Sequence, residues 1–481
     1  MSQSRTILIR EQCGSLGSLV SYSKEKGSRY LVRLAESTTL ASSFLTKIQD
    51  VFRDIFLPHG YPDSVSEDYL NYQIWDTIQA FCSTITGTFT TEAILKGVGV
   101  GDAQASPLAA AITWIIKDGT GMIGRIIFAW WKGSSLDSDC KKWRMFADIT
   151  NDAAMFLELT VPYFPEASLY ILCLTTTMKA VVGVAGGATR ASITQHQAIK
   201  GNMADISAKD GSQETCVNLI ASIFGIILLA VFEKGEYTWT IFMIFATIHI
   251  LANYMAVQSL IFRHLNSARL LLLIKMYLKF DTVISPININ KRESVFLGFG
   301  IRSQDLCGYK IKIGCSLRNV VESLSPEDLE QILESHSGKN YIIVPDFKRK
   351  SLYVALKTND AALDVISAYF DAVLTGIALS KYNNQHMDLN LKRHLHQVTP
   401  LIRLSTVVKT FPKNTTGKPR NLPKECMSEF NDYINFELAN FFIAMKVNGW
   451  NVQTHALQVG SWRYLSLDNT TPAQNSTKKE K

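Results

Sequence analysis

The sequence lacks the features that mark several common protein classes. Its eight cysteines are scattered along 481 residues without a C-x-x-C pair, which argues against a disulfide framework and against a zinc site. It contains no nucleophile elbow, no kinase motif set and no H-E-x-x-H motif, so we expect no enzyme activity, no catalytic residues and no metal. The net charge of +7 is modest and forms no basic face with interleaved aromatics, so we expect no nucleic-acid partner.

The first 70 residues also lack a continuous apolar run, so they do not resemble a signal peptide. They carry acids among the bases, which argues against a transit peptide. Residues 1–35 read as one or two strands. From Phe44 to Phe56 the apolar residues keep helical spacing, which predicts an amphipathic helix that ends before Pro58. This helix either packs on the protein surface or docks on a membrane surface.

The middle of the chain is strongly apolar, whereas residues 290–481 have the composition of an ordinary soluble protein. The longest uncharged run has 26 residues, from Tyr237 to Phe262, which is enough to cross a hydrocarbon core about 30 Å thick. We predict a mainly α-helical membrane protein with about six spans and a small C-terminal α+β domain. The predicted spans are residues 73–95, 105–131, 145–164, 168–190, 214–232 and 237–262.

The loop charges predict an orientation. With the N-terminus inside, the cytoplasmic loops at 132–144 and 190–213 and the region after 262 hold eleven Lys and Arg residues, against two in the opposite loops, Lys96 and Lys234. Multi-pass membrane proteins show this bias, and a buried soluble core has no reason to. We therefore predict a multi-pass protein with both termini in the cytoplasm, in an unspecified organelle.

Charges within the predicted spans form the candidate ligand-binding site. Each charge near a bilayer centre costs about 2.5–3.5 kcal/mol, so such groups face one another or water. The third span places its acids within an arc of roughly 120°. We expect these acids to line a wet cavity or to meet Lys117 and Arg125 of the neighbouring span. They serve either as a solute path, proton relay or anion gate, or structurally, with Asp148 and Asp152 pairing with Arg144. The candidate residues are Lys117, Asp118, Arg125, Asp148, Asn151, Asp152, Glu158 and Arg190.

Three glycines precede Arg190 in a segment that we predict to be a loop. Gly183, Gly186 and Gly187 could place backbone amides and the Arg190 guanidinium around an anion. The alternative is close helix packing through small residues.

Two histidines also carry expectations. His196 and Asp205 form a candidate acid–base pair. We expect His249 and Asn253, one turn apart in the last span, to hydrogen-bond between helices rather than to bind a metal.

The remainder reads as soluble sequence after a basic, leucine-rich helix at 263–280. Strands are predicted at 295–300, 309–314, 341–345 and 351–356, and helices at 360–381 and 424–447. Ser325 followed by Pro326 marks a helix start. The predicted domains are an N-terminal basic and amphipathic region 1–72, a helical membrane domain 73–280, an α+β domain 287–409, a linker and C-terminal helix 410–467, and a disordered tail 468–481.

Four stretches resemble the root UVB sensitive (RUS) family, whose shared domain carries the label vitamin B6 photoprotection and homeostasis. They are FLPHGYPDSVSEDYLNYQIWD (56–76), GVGVGDAQASPLAAAITWIIKDGTGMIGRIIFAWWKG (97–133), WRMFADITNDAAMFLEL (143–159) and GVAGGATRASITQHQAIKGNMADISAKDGSQET (183–215), within a resemblance that covers about residues 44–280. The resemblance implies a link to ultraviolet-B responses, early development and vitamin B6 homeostasis. Two plant members of the family act together, which implies a homodimer or a heterodimer with another member.

A second resemblance concerns the loop between spans two and three. It is similar to the Gly…Asp…Arg/Lys loop of major facilitator transporters, at the same place in a six-helix half, and its residues are Gly133, Asp137, Lys141, Lys142 and Arg144. A transporter of that kind would need two such chains.

Three hypotheses follow. The first is a membrane protein that moves or senses a small polar or anionic solute, with a B6 vitamer as one candidate. The second is a membrane-anchored scaffold whose C-terminal domain recruits a partner. The third, an enzyme with pyridoxal phosphate as cofactor, has no motif to support it.

Overall fold

The computed structural model describes residues 5–12, 19–25, 31–34, 40–97, 107–232, 237–322, 324–384, 398–414 and 419–465. The chain is mainly helical and divides into two compact units. The helical unit comprises Met1–Ile261 with Val295–Gly298, and the C-terminal unit comprises Phe262–Ser294 with Phe299–Lys481. The predicted tail 468–481 lies outside the described residues, and the other predicted domain limits stay predictions.

In its described ranges, the helical unit has a three-stranded antiparallel sheet followed by seven α-helices. The strands are β1 (Arg5–Gln12), β2 (Leu19–Glu25) and β3 (Leu31–Leu34). The helices are α1 (Leu40–Phe56), α2 (Tyr69–Gly97), α3 (Pro107–Lys132), α4 (Cys140–Glu158), α5 (Ser168–Gln197), α6 (Met203–Val231) and α7 (Thr238–Ser259).

The predicted amphipathic helix is present as α1, and each predicted span overlaps one helix from α2 to α7, although α4 ends at Glu158 and α6 begins at Met203. The loop predicted at 190–213 is wrong, because α5 continues to Gln197 and α6 begins at Met203. We predicted a loop because the segment is polar. Its alanines, Gln197 and charged residues also form helices readily, so polarity alone did not distinguish a loop from a helix. How many of the six helices cross a membrane stays a prediction.

Small residues let α3 approach α5 closely. A Cβ added at Gly121 would lie 2.8 Å from Thr176 Cγ2, and one added at Gly124 would lie 2.6 Å from Thr177 Cγ2. Both distances are too short for a side chain, so these two glycines set the separation of the helices. Elsewhere, α2 packs against α6 and α7, and α4 packs against α5 and α7.

The helical unit has an apolar exterior and a partly polar interior. Large apolar side chains on the outside are widely exposed, including Ile126 (69%) on α3, Leu219 (63%) on α6 and Leu251 (58%) on α7. In contrast, His249 and Asn253 are completely buried. Soluble proteins rarely expose apolar patches of this extent. Among the residues that the structure describes in this unit, three helical segments are long and apolar enough to cross a membrane: Pro165–Gln197, Met203–Val231 and Thr238–Ser259.

The C-terminal unit contains a four-stranded sheet in which β7 pairs with β5 and β9 in parallel and with β6 antiparallel. A short parallel pair joins β4 and β8. The strands are β4 (His264–Leu265), β5 (Lys310–Ile313), β6 (Tyr341–Asp346), β7 (Ser351–Lys357), β8 (Asn451–His455) and β9 (Arg463–Tyr464). The helices are α8 (Ser267–Phe280), α9 (Pro286–Arg292), α10 (Ser303–Cys307), α11 (Arg318–Val321), α12 (Pro326–Ser335), α13 (Ala362–Tyr382), α14 (Pro400–Thr410) and α15 (Met427–Val447).

Helix α13 is the core of this unit. Among the described residues it is a fourth helix that is long and apolar enough to cross a membrane. However, 72% of its most apolar 18-residue stretch is buried inside the protein, against the sheet and neighbouring helices. Its apolar composition is therefore accounted for by core packing. The predicted cap is confirmed, since the Asp328 N–H donates to Ser325 Oγ at 3.1 Å.

Three of the four strands predicted in the C-terminal half are confirmed as β5, β6 and β7. The strand predicted at 295–300 is wrong. Gly298 has φ +82° and Gly300 has φ +104°, so the backbone turns where an extended strand would need negative φ.

Candidate functional site

Seven side chains from three helices meet inside the helical unit. On α2 the contributors are spaced i, i+4, i+7, and on α4 they are spaced i, i+4, i+8, so each set lies on one helix face. We call this group the polar network; its members are Tyr72, Asp76 and Gln79 on α2, Arg144, Asp148 and Asp152 on α4, and His249 on α7.

Arg144 joins two carboxylates at one end of the polar network. Its Nη2 donates to Asp76 Oδ1 at 2.8 Å, and its Nε lies 3.9 Å from Asp148 Oδ2. The Tyr72 hydroxyl donates to the same Asp76 oxygen at 3.4 Å. All of these side chains are largely withdrawn from solvent. A buried cation held between two anions is strongly destabilised if either partner is removed.

The other end of the polar network runs through Gln79 and His249. Gln79 Nε2 lies 3.3 Å from Asp148 Oδ2 and 2.8 Å from His249 Nε2. His249 Nδ1 lies 2.8 Å from Asp152 Oδ2. These contacts therefore form one continuous series across α2, α4 and α7, in the order Asp76, Arg144, Asp148, Gln79, His249 and Asp152. The expectation that His249 bonds between helices is confirmed.

The polar network is incomplete in hydrogen bonds and carries an excess of acid. Asp152 Oδ1, and Asn253 Oδ1 one turn from His249 on α7, are buried acceptors without a hydrogen-bond partner, while Arg144 Nε at the other end is a buried donor without one. Three carboxylates face one arginine and one histidine. A buried, unpaired acceptor costs about 1–3 kcal/mol, so this part of the core favours an added donor or positive charge.

The α4 acids do not meet the α3 bases predicted for them. Glu158, 3% exposed, accepts from Lys179 of α5 at 2.5 Å. Lys117 instead lies over the Trp114 ring at 3.5 Å, with Asp118 at 3.8 Å. The predicted meeting with Lys117 and Arg125 is wrong because α3 packs on α5, whereas the acids of α4 face α2, α5 and α7. Asn151 is half-buried on α4.

Arg125 is exposed on α3, and its guanidinium lies near α5. A Cβ built at Gly183 would be 3.8 Å from Arg125 Nη2, whereas one at Gly186 or Gly187 would meet nothing within 4 Å. These glycines lie within a helix, so their amides do not form the predicted loop nest, and Gly186 and Gly187 do not serve close packing either. Open space therefore lies beside Gly186 and Gly187 on α5.

Arg190 pairs with α6 rather than with the glycines. Its guanidinium lies 2.6 Å from Asp210 Oδ2 and 2.5 Å from Glu214 Oε2. The candidate acid–base pair of His196 and Asp205 is also wrong. His196 Nε2 contacts Asp68 at 2.9 Å, and Asp205 accepts from the His59 backbone N–H.

Asp68 is a buried carboxylate just before α2. Burial raises its pKa, but hydrogen bonds from His196, Ser66 and the Ile261 N–H, together with the charge of His196, outweigh that effect and hold the pKa of Asp68 below its usual value.

Lys141, Lys142 and Arg144, which we predicted to lie in the loop between spans two and three, belong to α4 instead. Lys141 is buried and donates to the Leu260 carbonyl at 2.8 Å, and Arg144 belongs to the polar network. Sequence reasoning missed Asp76 and Gln79. The alternative in which Asp148 pairs with Arg144 is confirmed, whereas Asp152 pairs with His249 rather than with Arg144. The spacing of Tyr72, Asp76 and Gln79 on one helix face was the available signal. Within the described ranges, no group of three or more His, Cys, Asp and Glu residues is placed to hold a metal ion.

An apolar exterior around a polar helical interior defines a class of helical protein with the surface chemistry of a membrane protein. Residues 43–281 match the vitamin B6 photo-protection and homoeostasis domain, and residues 282–466 match the root UVB sensitive protein, C-terminal, domain. The chain belongs to the root UVB sensitive family, as the resemblance predicted.

Several curated relatives are similar to this chain. It is 45% identical over 276 residues to RUS family member 1 of Dictyostelium discoideum, which covers 56% of this chain and 51% of that protein. It is 33% identical over 387 residues to Protein root UVB sensitive 3 of Arabidopsis thaliana, and this match covers 77% of this chain and 87% of that protein. It is 30% identical over 287 residues to Protein root UVB sensitive 2, chloroplastic, of Arabidopsis thaliana, and this match covers 60% of this chain and 65% of that protein. The match thus spans about half the length of the Dictyostelium relative. No solved structure matches the chain.

Proposed function

We propose that this chain is an integral membrane protein whose helical unit moves or senses a small polar or anionic solute. The solute would be linked to vitamin B6 homeostasis or to ultraviolet-B and developmental signalling, as the family descriptions suggest. The observation that carries the proposal is the inverted polarity of the helical unit. Its exterior suits lipid, and its interior holds ionised groups that a purely structural bundle has little reason to keep.

The ends of the helices support a position in a bilayer. Trp130 is 85% exposed and is followed by exposed Trp131 and half-buried Lys132 at the end of α3. Where α7 begins, the Trp239 Nε1–H donates to the hydroxyl of exposed Tyr163 at 3.3 Å. Trp and Tyr concentrate at both interfaces of a membrane.

Helix α1 fits the surface of a bilayer. Gln213 of α6 donates to the Phe56 carbonyl at 2.5 Å, which fixes the end of α1, while Val51, Phe52 and Ile55 expose apolar side chains. With the loop charges, this supports termini in the cytoplasm.

The acid excess of the polar network disfavours an anion there, so an anionic solute would pass elsewhere. The space beside Gly186 and Gly187 lies on the helix that Arg125 approaches. Arg125 and Asp118 are also exposed on an otherwise apolar face of α3, where contact with lipid is costly. A second RUS-family chain, identical or related, would cover this face. Two six-helix units would then enclose the path, in the manner of a major facilitator transporter.

The test is solute flux in vesicles that contain the full-length protein. The probes are radiolabelled pyridoxine, pyridoxal phosphate and inorganic phosphate. We expect Arg125→Gln and Glu158→Gln to reduce the flux of at least one probe tenfold or more, and Lys96→Gln, at the exposed end of α2, to leave it unchanged. Flux that is insensitive to the first two substitutions at equal protein content would refute a path along these residues.

A scaffold is the second candidate, and α15 favours it. Phe436, Ile443 and Val447 are spaced i, i+7, i+11 on one helix face and are each more than half exposed. Under this alternative, the double substitution Phe436→Ser with Ile443→Ser in the full chain would leave solute flux intact but would fail to rescue the phenotype of cells that lack the protein. Rescue that survives the double substitution would exclude recruitment by this face. That the chain is not an enzyme stays a prediction.

A further inference from the structure

We propose that His249 and Asp152 form a proton-binding site, and that Gln79 transmits its occupancy to the Asp148–Arg144–Asp76 ion pairs. The proton comes from the aqueous phase and is held on the imidazole. The inference rests on the proposed transport function in one respect, because the bound proton would couple to the moving solute.

The contacts of His249 define the neutral state. The ring is completely buried between α2 and α4. Gln79 Nε2 lies 2.8 Å from His249 Nε2, and an amide NH2 can only donate, so His249 Nε2 must be the acceptor. The single imidazole proton then resides on Nδ1 and is donated to Asp152 Oδ2 at 2.8 Å. The geometry therefore selects the Nδ1–H tautomer.

A second proton on His249 cannot be accommodated without a change at Gln79. An imidazolium carries N–H groups on both nitrogens, so its Nε2–H would face the Gln79 NH2 group, donor against donor. Gln79 must rotate its amide and present Oε1. That rotation withdraws the donor that lies 3.3 Å from Asp148 Oδ2. Asp148 is then left with Arg144, now at 3.9 Å, as its remaining partner.

The surrounding charges favour uptake of a proton. Asp148 and Arg144 on α4 and the Cys82 thiol on α2 act on the site directly. Asp76 on α2 acts on Asp148 and Arg144, and Asp210 on α6 and Arg190 on α5 act on Asp76 in turn. Carboxylates outnumber guanidinium groups in this set. Asp152 also keeps a buried Oδ1 without a hydrogen-bond partner. Burial of the ring opposes its charging, but a positive charge on His249 would offset part of the excess of acid, because the low internal dielectric strengthens the attraction.

The site is tested by nitrogen NMR of full-length protein in lipid, labelled with ¹⁵N only at histidine. The His249→Gln variant identifies the His249 signals by their loss. His196→Gln is the matched control, because it removes a different histidine that also contacts an aspartate, Asp68, at 2.9 Å. We expect the Nδ1–H tautomer when His249 is neutral and conversion to imidazolium between about pH 8 and pH 5. Gln79→Glu would supply a carboxylate acceptor for Nε2–H and raise the proton affinity of His249 at least about tenfold.

An Nε2–H tautomer, a His249 that stays neutral throughout this range, or a Gln79→Glu variant with unchanged proton affinity would overturn the proposal. Flux measurements separate it from the transport function. If pyridoxine or phosphate moves in vesicles but neither a pH gradient nor His249→Gln alters the rate, the coupling is wrong and transport stands. If His249 titrates as described and no probe moves, the proton site stands and the transport proposal fails.

Discussion

Removing the guanidinium of Arg144 should destabilise the helical unit more than any surface substitution. Arg144→Leu leaves Asp76 and Asp148 without their cation, and the side chains of both are less than one-fifth exposed. Loss of one partner from a buried ion pair costs about 3–5 kcal/mol. For a unit of about 260 residues, this corresponds to a fall in melting temperature of roughly 6–20 °C.

A double-mutant cycle isolates the interaction itself. Asp76→Leu should cost a similar amount, because it leaves Arg144 with only the more distant Asp148. The variant with both changes should be more stable than the sum of the two losses predicts, by about 0.5–3 kcal/mol, since no orphaned partner of the Asp76 pair remains.

The assay is thermal unfolding of full-length protein in one detergent, followed by circular dichroism. Lys96→Gln, which breaks the exposed pair with Glu92, serves as the control and should change stability by less than about 0.5 kcal/mol. Additive losses in the cycle, or an Arg144→Leu variant as stable as the control, would show that Arg144 does not hold the two acids together.

Two further predictions concern packing and pH. Gly124→Ala should lower the melting temperature because its Cβ would lie 2.6 Å from Thr177 Cγ2. Gly119→Ala is the control: its Cβ would meet nothing within 4 Å, so it should be neutral or stabilising by up to about 1 kcal/mol. Equal effects of the two substitutions in thermal unfolding would contradict the close approach of α3 to α5. Burial, aided by Lys339, holds the pKa of His336 below 6.5, so the unfolded chain binds the proton more readily and the C-terminal unit should lose stability as the pH falls below 6.5. Hydrogen exchange of β6 in the full chain measures this loss, and a His336→Gln variant with the same pH dependence would refute the assignment.

The helices were predictable because their apolar runs are long and their ends carry local signals. The run from Tyr237 to Phe262 contains α7, and the Ser325–Pro326 pair starts α12. The false strand at 295–300 shows the limit of composition. Val295 and Phe296 suit a strand, but the φ angles of the glycines that follow turn the chain.

The candidate site was only partly predictable because its contacts join distant parts of the chain. The face of α4 with Asp148 and Asp152 follows from helical spacing. Their partners do not, since Gln79 is 69 residues from Asp148, and His249 is 97 residues from Asp152. Neighbouring spans in sequence suggested pairing with α3, but packing brought α2 and α7 to these acids instead.

Alkaline carbonate extraction of membranes from cells that express the full-length chain tests the central claim most directly. If the exposed apolar faces of α3, α6 and α7 contact lipid, the protein should remain in the membrane pellet and enter the soluble fraction only with detergent. Release of the intact chain into carbonate as a monodisperse, detergent-free particle would contradict the account.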